Sequence, residues 1–161
     1  SKHQRHLYDL AKELYPIYSV VYEQLIAPLN QRYDIFIREL GIAIEYDGRQ
    51  HFEYVEHFHK DMNGYLLARM LDKNKADFSI DNGIKVVRFD GDCMSLTVED
   101  LRERIDLIPF PDTDYSIECL QKLDVPQAKE PQKFLDAKKD RLVAAKAYRQ
   151  AQYKKIKESY R

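Results

Sequence analysis

Three carboxylates fall close together in the first third of the chain: Asp34 in Tyr33-Asp-Ile-Phe-Ile37, then Glu45 and Asp47 in Ile44-Glu-Tyr-Asp-Gly48. Acids crowded at one end of a sheet repel, and at neutral pH at least one keeps its proton unless a cation intervenes. Carboxylate, carbonyl and water oxygens suit Mg2+ or Mn2+ rather than a soft metal. A cation held there polarises a phosphodiester, generates a hydroxide nucleophile and stabilises the leaving oxygen. His51, where the chain leaves the sheet, is open to three roles: general base, general acid, or anchor of a metal-bound water. Gln50 beside it is placed to orient a water. The ordinary alternative is a strand with surface charges. Against it stand the apolar run before Glu45 and a glycine directly after Asp47, where backbone can approach a ligand.

Other polar residues are less specific. Arg69, Asp72 and Lys75 are spaced i, i+3, which fits a salt-bridged helix face; Arg69 and Lys75 could instead reach a scissile phosphate. Arg88 alternates with Val87 and Phe89 and is expected on the same side as Lys85. Gln4 reads as an exposed amide.

The elements that must position these groups follow from periodicity. Leu7, Leu10, Ala11 and Leu14 recur at helical spacing, and Pro16 ends that helix. Tyr18–Tyr22 is β-branched and aromatic, a strand. Tyr33–Glu39 alternates and is joined through Leu40-Gly41 to a second strand, Ile42–Asp47, so an antiparallel hairpin brings Asp34 towards Glu45 or Asp47. Glu45 and Asp47 share one face because strands repeat every two residues. The stretch His51–Gly64 has no clean period and is expected to be loop with some helical turns. A helix over Tyr65–Ser79 stops near Asn82-Gly83. A short strand covers Ile84–Phe89, and a capped amphipathic helix runs to Ile108 from Thr97-Val-Glu-Asp. The order α-β-β-β-α-β-α predicts an α/β fold with a mixed sheet flanked by helices. After Pro109 the spacing predicts a short helix over Asp114–Leu123. A long helix over Phe134–Tyr160 follows, with a thin apolar stripe, docked weakly or not at all.

The 161 residues suffice for one domain with an appendage, and no apolar run is long enough to cross a bilayer. Cys93 and Cys119 have neither disulfide density nor zinc spacing, which predicts free thiols in a reducing, cytoplasmic setting. Charge is unevenly spread. From Gln127 onward eleven basic residues face four acids, leaving the body acidic although the whole chain carries −1. A basic arm beside an acidic body suits a polyanion partner, and also suits a solvated helix. Lys138, Lys139, Arg141, Lys146 and Arg149 are the candidate DNA contacts on the arm, joined by Arg69 and Lys75 on the core. Tyr148, Tyr153 and Tyr160, interleaved with these cations, could stack on bases.

Taken together, Ser1-Lys-His-Gln4, Val21-Tyr-Glu23-Gln, Tyr33-Asp34-Ile-Phe-Ile, Ile44-Glu45-Tyr46-Asp47-Gly48-Arg-Gln50-His51-Phe, Asp72-Lys-Asn-Lys75 and Gly83-Ile-Lys-Val-Val-Arg88-Phe resemble the restriction-endonuclease-like superfamily, named for its PD-(D/E)XK motif. Within it they resemble the branch of very-short-patch repair and phage homing endonucleases. The resemblance covers residues 1–108, a nuclease core, and leaves 109–161 as a helical, Lys/Arg-rich extension. It implies Mg2+- or Mn2+-dependent hydrolysis of DNA, with Asp34 as central ligand, Glu45 as second acid and the Tyr46 carbonyl completing the shell. The chain departs from the motif at Asp47, where relatives carry lysine. Relatives of this branch imply His51 for the acid–base work that lysine would support. It departs again at Gln4, where many relatives carry Glu; Glu23, Asp9 or Glu13 are the alternatives there.

The leading expectation is therefore a DNA endonuclease of homing or phage type, nicking or cutting both strands. A mismatch-repair nickase is less favoured, since the zinc-binding cluster of the very-short-patch enzymes is missing. A nuclease fold kept only for binding DNA is the rival class, and an RNA- or single-strand-specific nuclease a third. Partners are DNA and no membrane, with a homodimer an open alternative to successive nicks by one subunit.

Overall fold

A computed structural model describes residues 1–48, 59–123 and 132–159, the side chains of 117 and 132–138 excepted. The chain is mixed α/β. Among the described residues, α1 (Lys2–Leu14) precedes β1 (Val20–Ile26), β2 (Gln31–Ile37) and β3 (Ile42–Asp47). Then come α2 (Met62–Asp81), β4 (Lys85–Asp90), α3 (Val98–Leu107), α4 (Ile117–Leu123) and α5 (Gln132–Ser159). The strands form one four-stranded sheet in the order β1-β2-β3-β4. The first three are antiparallel and β4 runs parallel to β3, so α2 is part of the crossover that parallel pairing requires.

Local chemistry sets the boundaries. The Ser1 hydroxyl accepts from Gln4 N and the Gln4 side chain returns the bond, a capping box that starts α1. Thr97 and Asp100 build the same device at α3. Asp61 caps α2 by accepting from Gly64 N, three residues earlier than periodicity suggests. The β2–β3 connection turns at Gly41, where φ is +65° and the Tyr115 ring lies so close that no side chain would fit.

Two cores flank the sheet. Ile35, Ile37, Ile42, Ile44 and Val87 face α1 and α3, where Leu7, Leu101 and Ile105 pack. Phe36 and Ala43 face the other way, towards Tyr33, Ile84, Cys119 and Leu120. Lys85 belongs to the first face with Val87 and Phe89. It is buried, and its Nζ donates to Ile105 O at 2.9 Å over the Phe110 ring. Burial pushes its pKa down to about 8. Arg88, three residues on, lies on the opposite face. The expectation that the two share a side is corrected by the two-residue period itself.

The weak docking expected of α5 is also corrected. Ala145 is buried in the first core and Tyr148 packs against it. Arg149 donates to Leu40 O at 2.8 Å and Gly83 O at 2.9 Å, with its guanidinium over the Phe110 ring. Those carbonyls end the β2–β3 turn and the α2 stop, so one side chain ties α5 to both. Sparse apolar residues hid this, because the anchor is a cation. With α4 in the second core, the segment after residue 108 shares both cores with the rest. Both cysteines are free, as expected, and both are buried. No helix among the described residues is long and apolar enough to cross a membrane.

Candidate active site

The β2–β3 ladder stops one step short of the acids. Its last paired residues are Ile35 and Ile44. At the next position the strands exchange side chains instead of carbonyls. Asp34 N donates to Glu45 Oε2 at 3.1 Å, and Tyr46 N donates to Asp34 Oδ2 at 2.8 Å. The alternation of β2 breaks at the same point: Tyr33 stacks on Phe36, ring centroids 5.3 Å apart, although an undisturbed strand would put them on opposite faces. On the neighbouring strand Glu23 has a positive φ of 55°. The splayed strand ends hold the two carboxylates together.

Lys75 completes the cluster from α2. Its Nζ is 2.5 Å from Glu45 Oε1 and donates to Arg32 O at 3.1 Å. Ser79, one turn further, donates its hydroxyl to Lys75 O and accepts from Tyr33 Oη at 2.7 Å, which fixes this edge of α2 on the sheet. Glu45 is only 3% exposed, and burial raises its pKa to about 7 despite the lysine; the Asp34 charge adds to the rise. Lys75 is thus the close charge partner of the buried Glu45 Oε1.

Asp47 is drawn elsewhere. Arg88 Nη1 donates to Asp47 Oδ1 at 2.8 Å, and the side chain is 8% exposed. The expected crowding of three acids thus resolves into two acids with Lys75 and a third with Arg88. Among the described residues no group of three or more His, Cys, Asp or Glu side chains is arranged to hold a metal ion. The pair that remains still fits a hard divalent cation. Mg2+ is commonly held by one or two carboxylates, with water and substrate phosphate filling the rest, and here the Asp34 and Glu45 carboxylates meet with Lys75 as their close cation.

Gln50 and His51, expected to handle water and protons, lie outside the described residues. Tyr46 contributes its amide to Asp34, stacks on His3 at 4.8 Å and donates its hydroxyl to Gly91 O. Gln4 Oε1 is taken up by Ser1 N and by the Tyr22 hydroxyl. Of the alternatives to it, Asp9 pairs with Lys12, Glu13 is exposed on α1, and Glu23, also exposed, stands between the pairs Tyr22–Ile35 and Gln24–Tyr33, in register with Asp34. Arg69 lies beside the Tyr65 ring and donates to its hydroxyl at 3.5 Å.

On α5, Arg141 lies 3.6 Å from Glu39. Arg149 is committed to carbonyls, and burial lowers its pKa to about 10. Tyr148 faces Tyr15 in the core. Lys139, Lys146 and Tyr153 are exposed, whereas the Lys138 side chain and Tyr160 lie outside the described residues. Lys75 is the functional candidate whose role the sequence understated: the Asp72–Lys75 spacing suggested a helix salt bridge, and only the crossover brings it to Glu45.

No protein-family model, curated protein or solved structure matches this chain.

Proposed function

We propose that the chain is a Mg2+- or Mn2+-dependent DNA endonuclease of the restriction-endonuclease-like type, with Asp34, Glu45 and Lys75 as its working residues. The observation that carries this reading is the meeting of two carboxylates and a lysine at the point where the β2–β3 ladder opens. At the level of fold class, the four-stranded mixed sheet flanked by helices supports this reading.

Asp34 and Glu45 would hold the cation, with the Tyr46 carbonyl as a third donor. When bound, it supplies Lewis acidity towards a phosphoryl oxygen and acidifies a water. Lys75, held by Arg32 O and Glu45, presents a fixed positive charge beside the ligands. It stabilises the negative charge that builds on the phosphoryl oxygens during attack. The lysine of the motif is thus supplied from a helix, and Arg88 neutralises the aspartate that replaces it. That neutralisation matters because an unpaired buried carboxylate would oppose the approach of a phosphate backbone.

Supercoiled plasmid incubated with the purified chain and Mg2+ is expected to become nicked or linear, with EDTA and Glu45→Ala each stopping the reaction. Cleavage surviving Glu45→Ala would overturn the assignment. DNA binding without cleavage or divalent-ion binding would mark a non-catalytic module.

A further inference from the structure

Helix α5 docks at the end of the sheet opposite the carboxylates. Its inward side chains Arg141 and Arg149 reach Glu39, Leu40 and Gly83. Glu39 and Leu40 belong to the β2–β3 turn and Gly83 leads into β4, whereas Glu45 lies towards the other end of β3. Five residue steps, about 16 Å of extended chain, separate Leu40 from Glu45, and the helix adds its own width of about 10 Å. The outer face of α5 is therefore remote from the site.

That outer face is cationic. At about 100° per residue, Lys139, Lys146, Lys154 and Lys157 fall within an arc of about 80°, while Arg141 and Arg149 turn to the core. All four lysines are exposed. Among the described residues the ion pairs made by α5 are Arg141–Glu39 and Lys155–Asp106, which leaves the four without an acid partner there. Asp140 and Glu158 stand off one edge of the row. From Lys139 to Lys157 the row is about 27 Å long, over which duplex DNA presents about 16 phosphate charges.

Charge selects a polyanion as the occupant. A second copy would set lysine against lysine. Val143 and Tyr153, 67% and 55% exposed along the row, are too few apolar side chains to seat the helix in a membrane. The chain before residue 127 is acidic and repels DNA, so the row supplies the missing attraction. We propose that α5 is a tether for duplex DNA, gripping phosphates through Lys139, Lys146, Lys154 and Lys157 without regard to sequence. Duplex DNA is stiff over a molecule of this size, so the segment on α5 is not the one at Asp34 and Glu45. The choice of DNA among polyanions rests on the nuclease reading.

Anisotropy of a short fluorescent DNA duplex titrated with the full chain in EDTA measures binding without metal or cleavage. Affinity is expected to fall about 100-fold between about 50 and 200 mM salt, as four phosphate contacts require. Changing the four lysines to Gln, a good helix former, should leave the circular dichroism spectrum unchanged and reduce the salt slope by about 3 to 4. Lys155→Gln, at the cation paired inward with Asp106, should leave the slope as it is, and Glu45→Ala should bind as tightly as wild type. The proposal is overturned by no binding in EDTA, by binding that the four-lysine variant keeps, or by equal weakening in Glu45→Ala. Tighter binding of duplex RNA or poly-glutamate than of DNA would also overturn it. Lysine-dependent binding with no plasmid cleavage under Mg2+ would support the tether and sink the nuclease reading alone.

Discussion

Lys75 Nζ lies 2.5 Å from Glu45 Oε1, a helix cation set against a strand acid. Asp47, two residues after Glu45, is paired instead with Arg88 on the neighbouring strand. The site therefore divides its charges between two elements that meet only in the folded chain. Lys75→Ala is expected to lower the single-turnover cleavage rate about 100- to 1,000-fold with DNA affinity little changed, the pattern of a charge used in the transition state. Lys75→Arg should recover part of the loss. Equal loss of binding and rate would make Lys75 an ordinary phosphate contact.

Glu45 sets a pH dependence. Burial pushes its pKa in the folded chain up to about 7 from the ordinary glutamate value of 4.5. Between those values the folded state holds a proton that the unfolded state has lost, so stability falls as pH rises through this window. Denaturant titrations should show that fall, on the order of 1–3 kcal/mol, and Glu45→Gln should flatten it. Mn2+ needs the ionised carboxylate, so calorimetric affinity should rise as pH rises through about 7. Affinity independent of pH there would remove Glu45 from the ligand set.

Asp47 and Arg88 are expected to act on charge balance rather than as ligands. Asp47→Asn should keep cleavage within about tenfold of wild type, whereas Asp34→Asn should lose at least about 100-fold. Arg88→Ala, which strands a buried carboxylate beside a half-exposed position, should cost about 1–2 kcal/mol in urea unfolding. Loss of metal binding in Asp47→Asn would return Asp47 to the ligands.

Arg149 is expected to matter for folding and not for DNA. Arg149→Ala leaves Leu40 O and Gly83 O without their donor and should cost about 2–3 kcal/mol. Lys146→Ala, at an exposed position on the same helix, should stay within about 0.5 kcal/mol. Equal stabilities in thermal melts would mean that α5 is not anchored through Arg149.

Much of this was legible in the sequence because it depends on local pattern. The hairpin, the Asn82-Gly83 stop and the Thr97 cap are set by neighbours a few residues apart, and Glu45 and Asp47 share a face by strand period alone. What the sequence did not show depends on contacts between distant elements. Lys75 is brought to Glu45 by the crossover, Arg88 to Asp47 by parallel register, and Arg149 to two turn carbonyls by docking of α5. Each is a cation whose partner lies at least thirty residues away, and charge spacing along one helix carries no record of such partners.

The most direct test of the metal centre is a crystal soaked in Mn2+ and measured at its absorption edge. Anomalous density between the Asp34 and Glu45 carboxylates, with Lys75 Nζ beside it, is the predicted result. Density at Asp47 instead, or none at millimolar Mn2+ with Glu45 still closed on Lys75, would contradict the assignment.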